Sequence, residues 1–389
     1  MDSSNIVGNT PRKMRRKALR TILKKVVFII LLVFVMIVAV ITIYINTHPT
    51  FGANPTKDQK ELYATFDNYK DGKFVYKDSN EEENVIDKFS VYKTDIGKGN
   101  RSPSDKIPIS KIDWSLINRK TDNLTWFGHS TFLLTIDEKK LLIDPMFSRF
   151  ASPVSFAGPK RFSDDWLNAI KELPPIDAVL ITHDHYDHLD YQSIKKLKDK
   201  VDHFFVPYGV GNHLRHWGIA DDQIKELNWW DETTFGGLKF VLTPAKHFSG
   251  RGLFNRNSTL WGGWIIIGNE TRLCTSGDGS YGPHFEEIGK KYGPFDLTLI
   301  EGGQYDKRWP NSHMIPEESV QAHIDLKGRQ MMLVHWGAFT LARHAWTEPI
   351  ERAMTEAEKK AVNLIVPQIG ETIFLEESIT HPISSWWQE

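Results

Sequence analysis

Thr182-His183-Asp184-His185-Tyr186-Asp187-His188 is the stretch whose reading decides the fold. It directly continues the apolar run Ala178–Thr182, which reads as a buried β-strand. His183 and His185 stand two positions apart, so in extended backbone both side chains point the same way. Asp187 and His188 follow as the chain turns toward a helix expected over Tyr191–Lys200. Two imidazoles on one side are placed to hold one ion, while the carboxylate and the third imidazole face a neighbouring one. Neutral imidazole nitrogen and carboxylate oxygen suit Zn²⁺. Three His and two Asp within six residues at a strand end set this segment apart from an ordinary polar loop. Cys274 is the single cysteine, which excludes an intrachain disulfide and any thiolate-rich metal site.

Further donors stand at other expected strand ends. His247 follows Phe240–Pro244, Asp278 follows Leu273–Ser276, and His335 ends Met331–His335. Asp278 lies within Ser276-Gly277-Asp278-Gly279-Ser280, where glycines permit close backbone approach. Around them, Leu124–Phe127, Thr131–Ile136 and Lys140–Ile143 read as consecutive strands, the last two joined at Asp137-Glu138. Hairpins are expected over Glu226–Val241, turning at Gly236-Gly237, and over Trp261–Cys274, turning near Gly268-Asn269. Leu297–Ile300 and Leu364–Val366 read as buried strands. Helices are expected at Pro316–Leu326, at Glu348–Ala361, and after Ser163 as a cap, ending before Pro174-Pro175. No internal repeat is legible. Strand-rich stretches flanked by helices indicate an α/β layer architecture.

With Trp126-Phe127-Gly128-His129-Ser130 and Leu142-Ile143-Asp144-Pro145, this order of motifs resembles the metallo-β-lactamase superfamily over roughly residues 120–375. The resemblance implies a four-layer αββα sandwich with two zinc ions per chain. By matching position, His183, His185 and His247 hold the first ion. Asp187, His188 and His335 hold the second, and Asp278 bridges both. Further stretches resemble the N-acylphosphatidylethanolamine phospholipase D branch. They are Thr243-Pro244-Ala245-Lys246-His247, Leu260-Trp261-Gly262-Gly263-Trp264, Phe285-Glu286-Glu287-Ile288-Gly289, Gly293-Pro294-Phe295-Asp296 and Val334-His335-Trp336-Gly337. His313 matches a histidine that this branch places near its active site. Two departures stand out: Asp278 precedes Gly-Ser-Tyr rather than Thr-Gly-Tyr, and Ser312 occupies a position where mammalian members carry Gln.

The chemistry implied is hydrolysis of a phosphodiester, with a lipid as the expected substrate. Two zinc ions activate a water for in-line attack on phosphorus. Asp278 and Asp187 are the catalytic carboxylates of the metal set, Asp278 also orienting the nucleophile. His313 is the candidate to position the phosphate or protonate the leaving group. His129 reads either as a partner orienting a metal ligand or as a loop residue. The same metals would serve a lactonase or another ester hydrolase, since carbonyl and phosphoryl attack need the same nucleophile. A surface-anchored binding protein with a structural metal site is the non-enzymatic alternative. Trp229, Trp230, Trp261, Trp264 and Trp309 are candidates for an acyl-chain groove, although large aromatics more commonly fill a core. Trp386-Trp387 reads as an interfacial pair or a docked tail.

Residues 26–45, VVFIILLVFVMIVAVITIYI, form an uncharged apolar run spanning roughly 30 Å as a helix, enough for a bilayer core. Its length exceeds the apolar stretch of a cleaved signal peptide, and the reading is a transmembrane signal-anchor. Residues 1–25 carry eight basic side chains against Asp2, a surplus of +7 in a chain of net charge −1. This segment is therefore expected to stay cytoplasmic, with the catalytic domain outside the cell membrane. The remainder is mildly acidic, which argues against nucleic acid as a partner. Residues 46–122 read as a linker and an extension packed on the catalytic domain, with a turn at Asp71-Gly72 and a charge run at Asp78–Glu83. Residues 123–389 read as the hydrolase domain.

Overall fold

The computed structural model describes residues 10–76, 100–375 and 384–388 of the 389. The run Asp78–Glu83 lies outside them. Two compact units divide the chain, one through Phe51 and one from Gly52 onward. In the first, a helix runs Thr10–Thr47, and its segment Met14–Thr47 is long and apolar enough to cross a membrane. Those 34 residues span roughly 50 Å, so the helix continues through the basic cluster on one side of the apolar run.

In the second unit, two short strands, β1 (Tyr69–Lys70) and β2 (Lys73–Phe74), turn at Asp71 and Gly72, both at positive φ. Tyr63 and Phe74 are buried, and Tyr63 also packs on Tyr208, fastening this extension into the same core. Fourteen further strands follow: β3 (Asn123–Trp126), β4 (Phe132–Ile136), β5 (Lys139–Ile143), β6 (Ile176–Leu180), β7 (Val201–Pro207), β8 (Ile224–Leu227), β9 (Glu232–Phe235), β10 (Leu238–Thr243), β11 (Gly263–Ile267), β12 (Arg272–Thr275), β13 (Phe295–Glu301), β14 (Gly328–Val334), β15 (Leu364–Ile365) and β16 (Thr372–Phe374). They build two seven-stranded sheets, ordered β16-β3-β4-β5-β6-β7-β8 and β9-β10-β11-β12-β13-β14-β15.

Read in that order, each sheet begins with three antiparallel pairings and ends with three parallel ones. The topology is thus duplicated although no repeat is legible in the residues. Both sheets bury both faces, which gives runs such as Phe132–Ile136 with no exposed position. Helices cover the outer faces: Pro316–Asp325 lies on β13 and β14, and Gly211–His216 on β8. The result is an αββα sandwich.

Local chemistry explains the joints. Asp137 and Glu138, both at positive φ, make the tight β4–β5 turn, and Gly236-Gly237 makes that of β9–β10. Asp190 caps the helix Tyr191–Leu197 by accepting from the backbone N–H of Gln192 and Ser193. Pro316 starts its helix at a position where its missing N–H costs nothing.

Two expectations change, and the alternatives left open for the tryptophans resolve. Ser163 caps no helix: its hydroxyl donates to the Ile107 carbonyl, and only a 3₁₀ turn, Leu167–Lys171, follows. The expected Glu226–Val241 hairpin is shorter, because β8 leaves to pair with β7 in the other sheet. Four of the five tryptophans offered for a groove are tied into the structure, as large aromatics commonly are. Trp261 and Trp264 are buried, Trp229 Nε1 donates to the Trp261 carbonyl, and Trp309 Nε1 donates to that of Gln304. Trp386 and Trp387 are a docked tail, with Trp386 stacked on Trp336 at 5.2 Å.

Candidate metal centre

β3, β5 and β6 run in one direction in their sheet, as do β10, β12, β13 and β14 in theirs. The C-terminal ends of these strands and the segments leaving them carry, in turn, His129, Asp144, His183–His188, His247, Asp278, Glu301 and His335. Residues far apart in sequence are brought together because every one of them leaves a strand at the same end.

The seven donors singled out in the sequence converge. His183 Nε2 lies 2.9 Å from His185 Nδ1, which lies 3.3 Å from His247 Nε2. A second group meets on Asp278 Oδ2, at 3.1 Å from His188 Nε2 and 3.0 Å from His335 Nε2. Asp187 Oδ2 completes that group, at 3.5 Å and 3.3 Å from the same two nitrogens. Donors around a tetrahedral zinc with bonds near 2.05 Å stand about 3.3 Å apart, so both groups have the spacing of an ion's coordination shell. Asp278 Oδ2 also lies 3.8 Å from His183 Nε2 and 3.9 Å from His247 Nε2, between the two groups. His188 Nε2 and Asp278 Oδ1 are buried without a hydrogen-bond partner. Unpartnered buried groups of this kind need a counterpart, and a cation fits this donor set.

Hydrogen bonds behind the rings decide which nitrogen is free. The Thr182 hydroxyl donates to Asp144 Oδ2 at 2.6 Å, so it accepts from His183 Nδ1 at 2.9 Å. His188 Nδ1 donates to the same Asp144 oxygen at 2.8 Å, and His247 Nδ1 donates to the Ser312 carbonyl at 2.9 Å. In each ring the proton is held at Nδ1 and the lone pair of Nε2 faces the centre. Any residue at position 312 supplies that carbonyl, so the departure from Gln leaves this contact intact.

Electrostatics agree. Burial lowers the imidazoles of His183 and His247 well below their ordinary range and that of His185 to about 4, keeping all three in the neutral, metal-binding form. At His188 burial acts the same way, but the carboxylates of Asp278, Asp187 and Asp144 outweigh it and raise the ring well above its ordinary value. Burial works against the charge on Asp278, yet His188 and His335 hold this carboxyl far down. The second group therefore favours positive charge at its centre.

His129, at a φ of +54°, is fully buried, and its Nε2 donates to Asp187 Oδ2 at 2.8 Å. It orients a carboxylate rather than a ring. His313 sits beside the centre, its ring 5.2 Å from that of His247 and 5.0 Å from that of His335. Asp184, inside the His-rich segment, faces away from the other donors. Its carboxylate accepts from Gly250 N–H at 2.7 Å and Thr259 Oγ1 at 2.9 Å, anchoring the loop. Sequence reasoning passed over Glu301, a buried carboxylate ending β13. The signal was present: an acidic residue closing an apolar run, the placement that singled out Asp278.

Residues 139–336 match the Beta-lactamase superfamily domain. The chain is 40% identical over 334 residues to an uncharacterized protein of Mycobacterium tuberculosis, covering 82% of this chain and 87% of that one. Over 229 residues it is 36% identical to the N-acyl-phosphatidylethanolamine-hydrolyzing phospholipase D 1 of Caenorhabditis elegans, covering 56% of this chain and 64% of the relative. Among solved structures, the metallo hydrolase Igni18 of Ignicoccus hospitalis is similar with a TM-score of 0.50 and 25% identity, over 65% of this chain and 97% of its own.

Proposed function

The chain belongs to the metallo-β-lactamase superfamily, in its N-acylphosphatidylethanolamine phospholipase D-like branch, and from that premise we propose that it is a membrane-anchored dinuclear zinc phosphodiesterase acting on a phospholipid. The observation that carries this reading is the meeting of two donor groups on one oxygen, Asp278 Oδ2. His183, His185 and His247 would hold one ion, Asp187, His188 and His335 the other, with Asp278 shared between them. When bound, the ion pair lowers the pKa of water and offsets charge on the phosphoryl oxygens.

The chain's own residues do the rest. Asp144, Thr182 and the Ser312 carbonyl keep the metal-facing nitrogens deprotonated. His129 holds Asp187 in place, and Asp278 orients the nucleophile for in-line attack. His313, whose side chain is 14% exposed, stands at the mouth of the centre, placed to give a proton to the departing alcohol. The apolar run 26–45 of the helix Thr10–Thr47 anchors the protein, with the basic cluster ahead of that run cytoplasmic and the hydrolase unit outside.

The full chain in detergent, zinc-loaded, is to be assayed against phospholipids, soluble phosphodiesters and lactones. Phospholipid cleavage at the phosphate, with kcat/KM at least tenfold above any lactone, is expected. Preferential turnover of lactones would refute the phosphodiesterase reading, and no turnover in a two-zinc protein would refute the enzymatic one.

A further inference from the structure

Glu301 is held on three sides. Its backbone N–H donates to Ser276 Oγ at 3.0 Å, its carbonyl accepts from Ser319 Oγ at 2.7 Å, and its Oε1 accepts from Met314 N–H at 2.8 Å. The residue is wholly buried. Its remaining oxygen, Oε2, has no hydrogen-bond partner, and neither has His313 Nδ1 nor His335 Nδ1. These three unpartnered atoms face one another: Oε2 lies 3.5 Å from His313 Nδ1 and 3.7 Å from His335 Nδ1. The two imidazoles stack on each other, with planes 21° apart.

A neutral imidazole has one N–H to place, and a buried carboxylate oxygen needs donors. A movement of about half an ångström brings each pair to hydrogen-bond distance. We propose that Glu301 is a positioning residue that takes the Nδ1–H of both His313 and His335, so that one carboxylate sets the tautomer and orientation of a metal-holding ring and of the proton-carrying ring beside it. The inference rests on the two-metal reading of the site. For His335 it leaves Nε2 as the lone-pair nitrogen toward Asp187 and Asp278. For His313 it fixes one N–H on Nδ1, so the proton given to the departing alcohol is a second one, carried on Nε2 of an imidazolium whose Nδ1–H the carboxylate accepts. A single side chain thereby ties second-ion retention to the His313 step, because the stacked rings are held by the same oxygen.

Glu301→Gln separates this role from simple bracing. The amide oxygen still accepts from Met314 N–H, while an NH₂ group replaces Oε2 and presents hydrogens to both Nδ1 atoms. Each ring must then accept at Nδ1 and carry its proton at Nε2, where it cannot bind metal. Chelator-competition titration of the full chain in detergent should show one of two zinc ions bound roughly 10- to 100-fold more weakly. The other ion, in the three-histidine group, should be retained, and metal-free protein should melt as wild type does. His313→Ala, which keeps Glu301 and His335, should hold both ions.

At saturating zinc, Glu301→Gln should lose more rate on a phosphodiester with an alkyl leaving group than on one with an activated phenol. Unchanged affinity for both ions overturns the proposal. So does an equal destabilisation of the metal-free variant, which would make Glu301 a fold brace. A third zinc in the wild type that disappears in Glu301→Gln overturns it in favour of a cation site. Wild-type protein that binds two ions yet cleaves no phosphodiester fails the functional reading alone, since the titration still decides the role of Glu301.

Discussion

Asp144→Asn changes one atom and should strip the metal centre. Asp144 is 1% exposed, and its carboxylate accepts three hydrogen bonds: Thr182 N–H at Oδ1, and both the Thr182 hydroxyl and His188 Nδ1 at Oδ2. Its φ of +42° is one asparagine tolerates, so the backbone is expected to stay. The amide oxygen can keep the bond from Thr182 N–H, which leaves an NH₂ where two donors had converged. His188 must then accept at Nδ1 and move its proton to Nε2, the nitrogen facing Asp278. Thr182 must turn its hydroxyl hydrogen away from position 144, toward His183 Nδ1, and so disturbs the first group as well.

Loss of such an orienting partner weakens metal binding about 10- to 100-fold, or about 1.4–2.8 kcal/mol per ion. The two charge-assisted bonds at Oδ2 contribute about 1.5–3 kcal/mol each to stability. Zinc per chain is to be measured by elemental analysis after dialysis against graded chelator, alongside thermal unfolding with and without metal. The variant should drop below two zinc at chelator concentrations the wild type withstands. If it keeps both ions with unchanged affinity, hydrogen bonds to Asp144 do not set the ring tautomers.

Asp278→Asn removes the charge shared between the two donor groups; elemental analysis should show zinc loss, and turnover should fall by at least about 10², with the melting temperature of metal-free protein little changed. Full zinc occupancy with near-normal rate would refute the bridging role. Burial holds the His323 imidazole at about 4 and that of His284 at about 3, below the value near 6.5 of an unfolded chain. Their stabilising contribution is complete above pH 6.5 and is lost as pH falls toward 4, on the order of 3 kcal/mol for His323. The urea midpoint of metal-free protein should decline over that window, and a midpoint that rises on acidification contradicts it. Protease added to intact cells should digest the hydrolase unit; protection until lysis would reverse the proposed orientation.

The His-rich segment was legible because its chemistry is local: alternation in a strand places His183 and His185 on one side without knowledge of the rest of the molecule. His247, Asp278 and His335 were legible as strand ends, but their meeting depends on strand order, which no local pattern encodes. Asp144 and Glu301 show the cost of that gap. Each carboxylate has partners more than ten positions away in sequence, so neither announces its task by spacing. The same holds for β8, whose sequence suits a hairpin with β9 yet pairs in parallel with β7. Ser163 illustrates the opposite failure, since a residue with good capping chemistry found a tertiary acceptor instead.

The place of β16 bears on how such a chain comes to be folded. It pairs antiparallel with β3, and Thr125 and Thr372 join their hydroxyls at 2.8 Å across 247 positions. A ribosome delivers the N-terminal side first. Until residues 372–374 emerge, β3 remains a bare sheet edge, open to pairing with any neighbouring strand. Contacts of such long range also make closure slow. The first sheet must therefore wait, unsealed, while the second is still being made. Assembly is thus completed only after the last strand is released, a stage at which a holding chaperone would matter more to yield than the stability of the finished domain.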